Sequence, residues 1–359
     1  MPEKGCWSYI YHLDGREAPN ESLPAWDTFY SLNVILGLAA CSHNHEEKSY
    51  DLEMMLKQNA QHLLERPVPT YAFGMALWAA AELGKSLEAP VYSRIRNLVF
   101  NRKGWVEFRA QDIGLLLSGI SQQKMKGSND FEEEAHALYH CIKQHYLAPS
   151  GLFYDTATGF RKNFSSFATQ TYLITSFYHY GTAYGNEEAL ALADASVKKL
   201  MLLQGPEGEW PWFYNSSRGI VIDNYEVYSV HQGGMAPLFL AFAEKRGIPG
   251  AHEAIIKGFN WLFGNNQLKQ SMMIPEKGMF YRSIIRKGEL ISKKRRIARA
   301  IVNSITGTSD HYAPPSQLTL RKECRSYELG WMLYSFGSRT DLPQITEHPE
   351  FITANNRHS

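Results

Sequence analysis

The sequence predicts an all-α protein in which about six helical hairpins close into a ring, an (α/α)6-type toroid with short β-hairpins on one rim. Three observations carry this. Apolar residues recur at helical spacing through most of the chain. Helices that are apolar nearly all round alternate with amphipathic ones. A glycine-plus-aromatic motif returns four times, mostly just ahead of an apolar helix.

In order, residues 1–25 read as an irregular lead-in, with Pro24 just before the first helix. Residues 26–40 (WDTFYSLNVILGLAA) form a helix, and 49–65 a more polar one with Asp51 and Glu53 where the dipole favours acids. Residues 70–84 (TYAFGMALWAAAELG) should be buried, and 89–100 carry a charged face. Then follow 111–122 (apolar), 130–146 (amphipathic), 167–180 and 187–203, 230–245 and 251–263, and 325–336. Segment 26–340 is expected to be one toroid domain, and 341–359 a tail.

The repeats are GWVEF at Gly104, GLFYDTATG at Gly151, GEWPWFYNSSRG at Gly208 and GMFYRSIIRKG at Gly278. In the second and third, aromatics followed by a turn suggest a β-hairpin. A basic insertion, 288–323, follows the fourth. Lys293, Lys294, Arg295, Arg296 and Arg299 crowd one stretch of it, beside Ile297, Ala298, Ile301 and Val302. Such a segment reads first as a solvated helix face, and second as a weak contact with a membrane surface or anionic polymer.

Hydrophobic residues make up 44% and charged residues 20%, which suits a chain with a sizeable core. A net charge of +1 gives no global field to recruit nucleic acid. Aromatics reach 13%, which favours a binding cleft. The cysteines lie far apart without a CxxC pair, and His43 and His45 lack HExxH spacing, so neither a disulfide framework, a metal nor a cofactor is expected. No signal-like or membrane-length apolar run occurs, so a cytoplasmic location is expected.

The order GEWPWFY…DNYEVYSVHQGGMAPLFLAF, then GMFYRSI and ECRSYELGWMLY, resembles the α/α-toroid superfolds. These include six-hairpin glycosidases, polysaccharide lyases and uronyl epimerases, and more distantly terpenoid cyclases and prenyltransferases. The resemblance implies a carbohydrate-active enzyme that binds a small-molecule or oligosaccharide substrate in an axial cleft, by glycoside hydrolysis or uronate lyase or epimerase chemistry. The DxDD and DDxxD acid motifs of terpenoid enzymes do not occur, nor does a Cys/His zinc motif. An apolar cyclase-like cavity and a non-catalytic scaffold are the alternatives.

Residues 205–240 concentrate the candidates. Glu226 could serve as a general acid, with its partner carboxyl elsewhere on the rim, at Asp155 or Asp27. Asp223, three residues away, is a further catalytic candidate. Asp223 reads equally as a turn or cap residue. His231, with Tyr225 or Tyr228 nearby, could move a proton at carbon α to a uronate carboxylate. Trp210, Trp212 and Tyr214 offer stacking faces, although at least one should be hairpin packing. Tyr154, Tyr228 and Gln232 add polar contacts. Arg282 and Arg325 could pair with an anionic sugar, but Arg325 and Glu328 read equally as an i,i+3 pair. Pro237 implies that regular helix starts late or is kinked there.

Overall fold

A computed structural model describes residues 5–41, 50–289 and 294–351. His43, His45 and Lys293 lie outside them. Thirteen helices are described: α1 Pro24–Cys41, α2 Leu52–Glu65, α3 Tyr71–Leu83, α4 Ala89–Phe100, α5 Ala110–Met125, α6 Glu132–His145, α7 Phe167–Tyr184, α8 Glu187–Met201, α9 Ala236–Lys245, α10 Ala251–Leu262, α11 Lys294–Thr306, α12 Ser326–Phe336 and α13 Pro343–Thr346. No helix among the described residues is long and apolar enough to cross a membrane.

Six of them form an inner ring. α1 packs on α3, α3 on α5, α5 on α7, α7 on α9, α9 with its preceding turn on α12, and α12 back on α1. The partner helices lie outside: α2 against α1 and α3, α6 against α5 and α7, α8 against α7 and α9, and α10 against α9. The burial pattern explains this sorting. α1, α3 and α7 are buried on nearly every side, whereas α2, α4 and α8 bury one stripe only.

Small residues let the inner helices approach closely. A Cβ at Gly330 of α12 would stand 2.8 Å from the Asn33 carbonyl oxygen of α1. Side-chain oxygens close the starts of the inner helices. Ser166 accepts from Thr169 N at 3.2 Å. One carboxylate, Asp112, accepts from Arg109 N at 3.1 Å and from Tyr71 N at 2.9 Å, and so serves α5 and α3 together. Left-handed glycines, Gly84 and Gly185, both with φ 63°, end α3 and α7.

The strands gather where the inner helices begin. Phe164–Ser166, Phe213–Asn215 and Ile220–Asp223 form one antiparallel sheet, and Val227–Tyr228, Ser283–Arg286 and Leu318–Arg321 another. The hairpin expected after Gly208 is present. Around Gly151 the chain makes only isolated bridges, Leu147 with Phe153 and Arg109 with Thr156. GWVEF at Gly104 forms a 3-10 turn instead of a strand. The lead-in is less irregular than expected, because Ile10–His12 pairs with Glu323–Cys324. Before Pro237 the chain makes a π turn, His231–Met235, so α9 does begin late.

Candidate active site

A row across the second sheet builds the centre of the site. Tyr228 stands opposite Ser283, and Ser283 opposite Arg321. All three side chains converge on the buried Glu226 carboxylate. Tyr228 Oη donates to it at 3.0 Å, Arg321 Nη1 reaches its two oxygens at 2.8 and 2.9 Å, and Ser283 Oγ makes a third, short contact. Burial pushes the Glu226 carboxyl up, but Arg321, Arg282 and the two hydroxyls outweigh it and leave it below the usual range. The Tyr225–Glu226 peptide bond is cis.

Asp223, at the end of its strand, is fully buried among Arg286 and Arg299, each at 3.3 Å, and Arg296 at 3.5 Å. The Arg296 contact lies in ion-pair range without hydrogen-bond geometry. Burial pushes the Asp223 carboxyl up to about 7, helped by Asp310 and opposed by Arg299, Arg296 and Arg286. Arg296 also stands 3.9 Å from Glu226, so the two acids share one guanidinium.

These contacts correct the solvated-face reading of the basic insertion. Arg296 and Arg299 sit on α11 and turn inward onto the acids, while Ile297, Val302 and Ile305 face solvent. The buried carboxylates under the helix choose which side of it is buried.

His231 begins the π turn in a cage of rings. It stacks on Trp212 at 5.7 Å with planes 4° apart, and meets Phe167 at 4.5 Å and Tyr228 at 5.1 Å. Its Nδ1 stands 3.4 Å from the Trp210 carbonyl, which can only accept, so Nδ1 carries the proton and Nε2 keeps its lone pair. Burial drives the imidazole down to about 3, so the ring is neutral.

Other named residues hold the scaffold. Trp210 is fully buried between Phe167 and Phe239, and its backbone N–H donates to Gln232 Oε1 at 3.1 Å. Gln232 Nε2 donates to the Tyr228 carbonyl at 3.0 Å. Tyr214 and Tyr225 are fully buried, and Arg286 lies over the Tyr225 ring at 4.6 Å. Asp155 is held by Arg109 at 3.2 Å, Arg161 at 3.4 Å and Thr169 at 2.9 Å. It shares no partner with Asp223 or Glu226 among the described residues. Tyr154 meets Ser217 at 3.2 Å, and Asp27 accepts from Leu23 N at 3.2 Å.

Arg325 and Glu328 make no side-chain pair. Glu328 accepts from the Arg325 backbone N–H at 3.2 Å and takes Arg282 at 2.7 Å, while the Arg325 guanidinium goes to Glu323 at 2.9 Å. Burial raises Glu328 to about 7 against the pull of Arg282 and Arg325. Arg282 also lies over the Tyr228 ring at 4.7 Å and reaches Glu323 at 3.2 Å.

That chain of contacts leads to a surface not expected from the sequence. Arg325 lies 4.2 Å over Tyr9, which stacks on Tyr30 at 5.3 Å, and Tyr30 meets Tyr327 at 4.4 Å. Trp26 adjoins Tyr9, Tyr30 and Tyr71 at 6.1, 5.9 and 6.5 Å. Trp26, Tyr71, Tyr327 and Trp212 are all half-buried, with part of each open to solvent. The signal was there: Trp26 and Tyr30 are four apart in the first turns of an inner helix, at the end where the rim forms.

The chain matches no known family's sequence profile and no curated protein by sequence. Solved structures do match. A cellobiose 2-epimerase from Bacillus thermoamylovorans superposes with a TM-score of 0.62 at 10% identity, over 95% of this chain and 94% of that one. An inactive variant of an α-1,6-mannanase from Salegentibacter, in complex with α-1,6-mannotriose, gives 0.58 at 12% identity, over 93% of each chain. An unsaturated glucuronyl hydrolase from Bacillus gives 0.54 at 11%, over 92% of this chain and 90% of that one. The chain is an α/α toroid.

Proposed function

We propose that this protein is a carbohydrate-active enzyme that binds a glycan at the inner-helix rim and moves a proton at a sugar carbon, as an epimerase or lyase does. The observation that carries the reading is His231. Its buried ring is neutral, keeps the lone pair on Nε2 and stacks on the half-buried Trp212. The partly exposed rings of Trp212, Trp26, Tyr71 and Tyr327 suit contact with the C–H faces of sugar rings. The solved toroids named above are carbohydrate enzymes, which supports the substrate class.

Glycoside hydrolysis by Glu226 fits less well. A general acid needs a raised pKa and room for the leaving oxygen. Glu226 is lowered instead, and its oxygens are taken by Arg321, Ser283 and Tyr228. A ring as weakly basic as His231 needs an anionic neighbour to become a proton acceptor, and a uronate carboxylate supplies one. The charged network gives no support to an apolar cyclase-like cavity.

The test is a panel of neutral and uronate oligosaccharides incubated in deuterium oxide. With the wild type and not with His231→Gln, an epimerase should bring deuterium into a sugar C–H position, and a lyase should instead leave a carbon–carbon double bond that absorbs in the ultraviolet. Trp26→Ala should weaken glycan binding about tenfold, the scale of one stacking contact worth about 1.4 kcal/mol. Glycosidic cleavage with neither deuterium entry nor an unsaturated product would reassign the reaction to hydrolysis. Failure of every sugar to bind would sink the enzyme reading.

A further inference from the structure

α11 is reversed for a helix on a water-facing rim. Arg296, Ala300 and Ser304 are buried against the hairpin below. Ile297, Ile301 and Ile305 recur four apart on the other side. Ile297 and Val302 are each 56% exposed and Ile305 is 71% exposed. The apolar surface continues off the helix. Phe160, 72% exposed, stacks on Phe164 at 5.1 Å, and the two phenyl rings face Ile301 and Ile305 across a groove of about 390 Å³.

The charge around this surface has one sign. Segments 157–164, 213–221 and 294–309 meet at the groove, and every charged residue in them is Lys or Arg. Arg296 and Arg299 are turned inward, and Arg161, Arg218, Lys294 and Arg295 are exposed. Scattered exposed aliphatics need no explanation, but a contiguous stripe rimmed by cations does. A second copy of this chain is a poor occupant, because a two-fold contact would set cations against cations. A polyanion would use the charges and leave the isoleucines without a role.

We propose that α11 and the adjoining hairpin tips form a peripheral docking surface for an anionic lipid bilayer. The aliphatics and Phe160 enter the headgroup–acyl boundary, and the lysine and arginine side chains meet lipid phosphates. The inference is independent of the carbohydrate reading, since it uses neither His231 nor the aromatic rings that reading rests on.

Co-sedimentation of the purified full chain with vesicles tests it. One set is phosphatidylcholine alone, and the other equal parts phosphatidylcholine and phosphatidylglycerol. Binding should favour the anionic set by about tenfold or more and weaken with salt, since each basic residue contributes about fivefold near such a surface. Ile297→Ser with Ile305→Ser should lower partitioning to anionic vesicles by at least about tenfold, from lost apolar insertion. Both side chains are mostly exposed, so the melting temperature serves as the control for folding. Equal sedimentation with both vesicle types, or none with either, overturns the proposal. So does an unchanged affinity of the isoleucine variant together with tight heparin binding, which would assign the patch to a polyanion. A concentration-dependent dimer that the isoleucine changes abolish would assign it to a second copy, and overturns it too.

Discussion

Glu226→Gln is the substitution whose consequence can be worked most fully. The amide keeps the shape of the side chain and removes its charge. Tyr228 and Ser283 can still donate to the amide oxygen. Arg321 loses the carboxylate that it meets at 2.8 and 2.9 Å, and Arg282 and Arg296 lose a neighbouring anion. Breaking a buried pair by removing one partner costs about 3–5 kcal/mol. The Arg321 side chain is 24% exposed, so water recovers part of that, and about 3 kcal/mol is expected. A chain of 359 residues unfolds with an entropy of about 0.75 kcal/mol/K, which makes the loss roughly 4 °C in melting temperature. Calorimetry on wild type, Glu226→Gln, Arg321→Gln and the double variant closes the cycle. The two single losses should overlap by at least about 1.5 kcal/mol. Additive losses, or a melting temperature within a degree of wild type for Glu226→Gln, would refute the view that this carboxylate anchors the rim.

Two further outcomes follow from the packing and the titration. Gly330→Ala forces a Cβ against the Asn33 carbonyl at the α1–α12 contact, and urea unfolding should show a loss of about 1–3 kcal/mol from overpacking. Asp223 and Glu328 are both raised by burial to about 7, from unfolded values near 4. The native state therefore binds their protons more tightly, and their contribution is complete below pH 4 and lost as the pH climbs through 7. The melting temperature should decline between about pH 5 and 7 and level off above that, and Asp223→Asn should flatten the decline.

Much of the fold was readable because inner helices such as α1 and α3 are buried nearly all round and outer ones such as α2 and α8 in a stripe, so periodicity largely separates the layers. Residues 89–100 were placed to the residue for that reason. The GLFYDTATG segment reads as a hairpin but makes only isolated bridges, with Phe153 buried in the core and Tyr154 turned toward Ser217. The site was legible as a neighbourhood only. Nothing near Glu226 in the chain announces Arg321, ninety-five residues away, because register across three strands brings them together. The inward turn of α11 was hidden likewise. A helix with isoleucines on one side and arginines on the other is ambiguous until the surface beneath it is known, and here that surface is acidic.

The ring has a seam, and the seam has a timing. α1 is buried on nearly every side, but one of its walls is α12, and Cys41 Sγ meets the Leu333 carbonyl at 3.3 Å across 292 residues of chain. At translation rates of about 5–20 residues per second, α1 waits roughly 15–60 s for that wall to be made. During that interval an apolar flank of the first helix faces the cell with only α2 and α3 for cover. The ring therefore closes around its first helix only when its last inner helix has been synthesised.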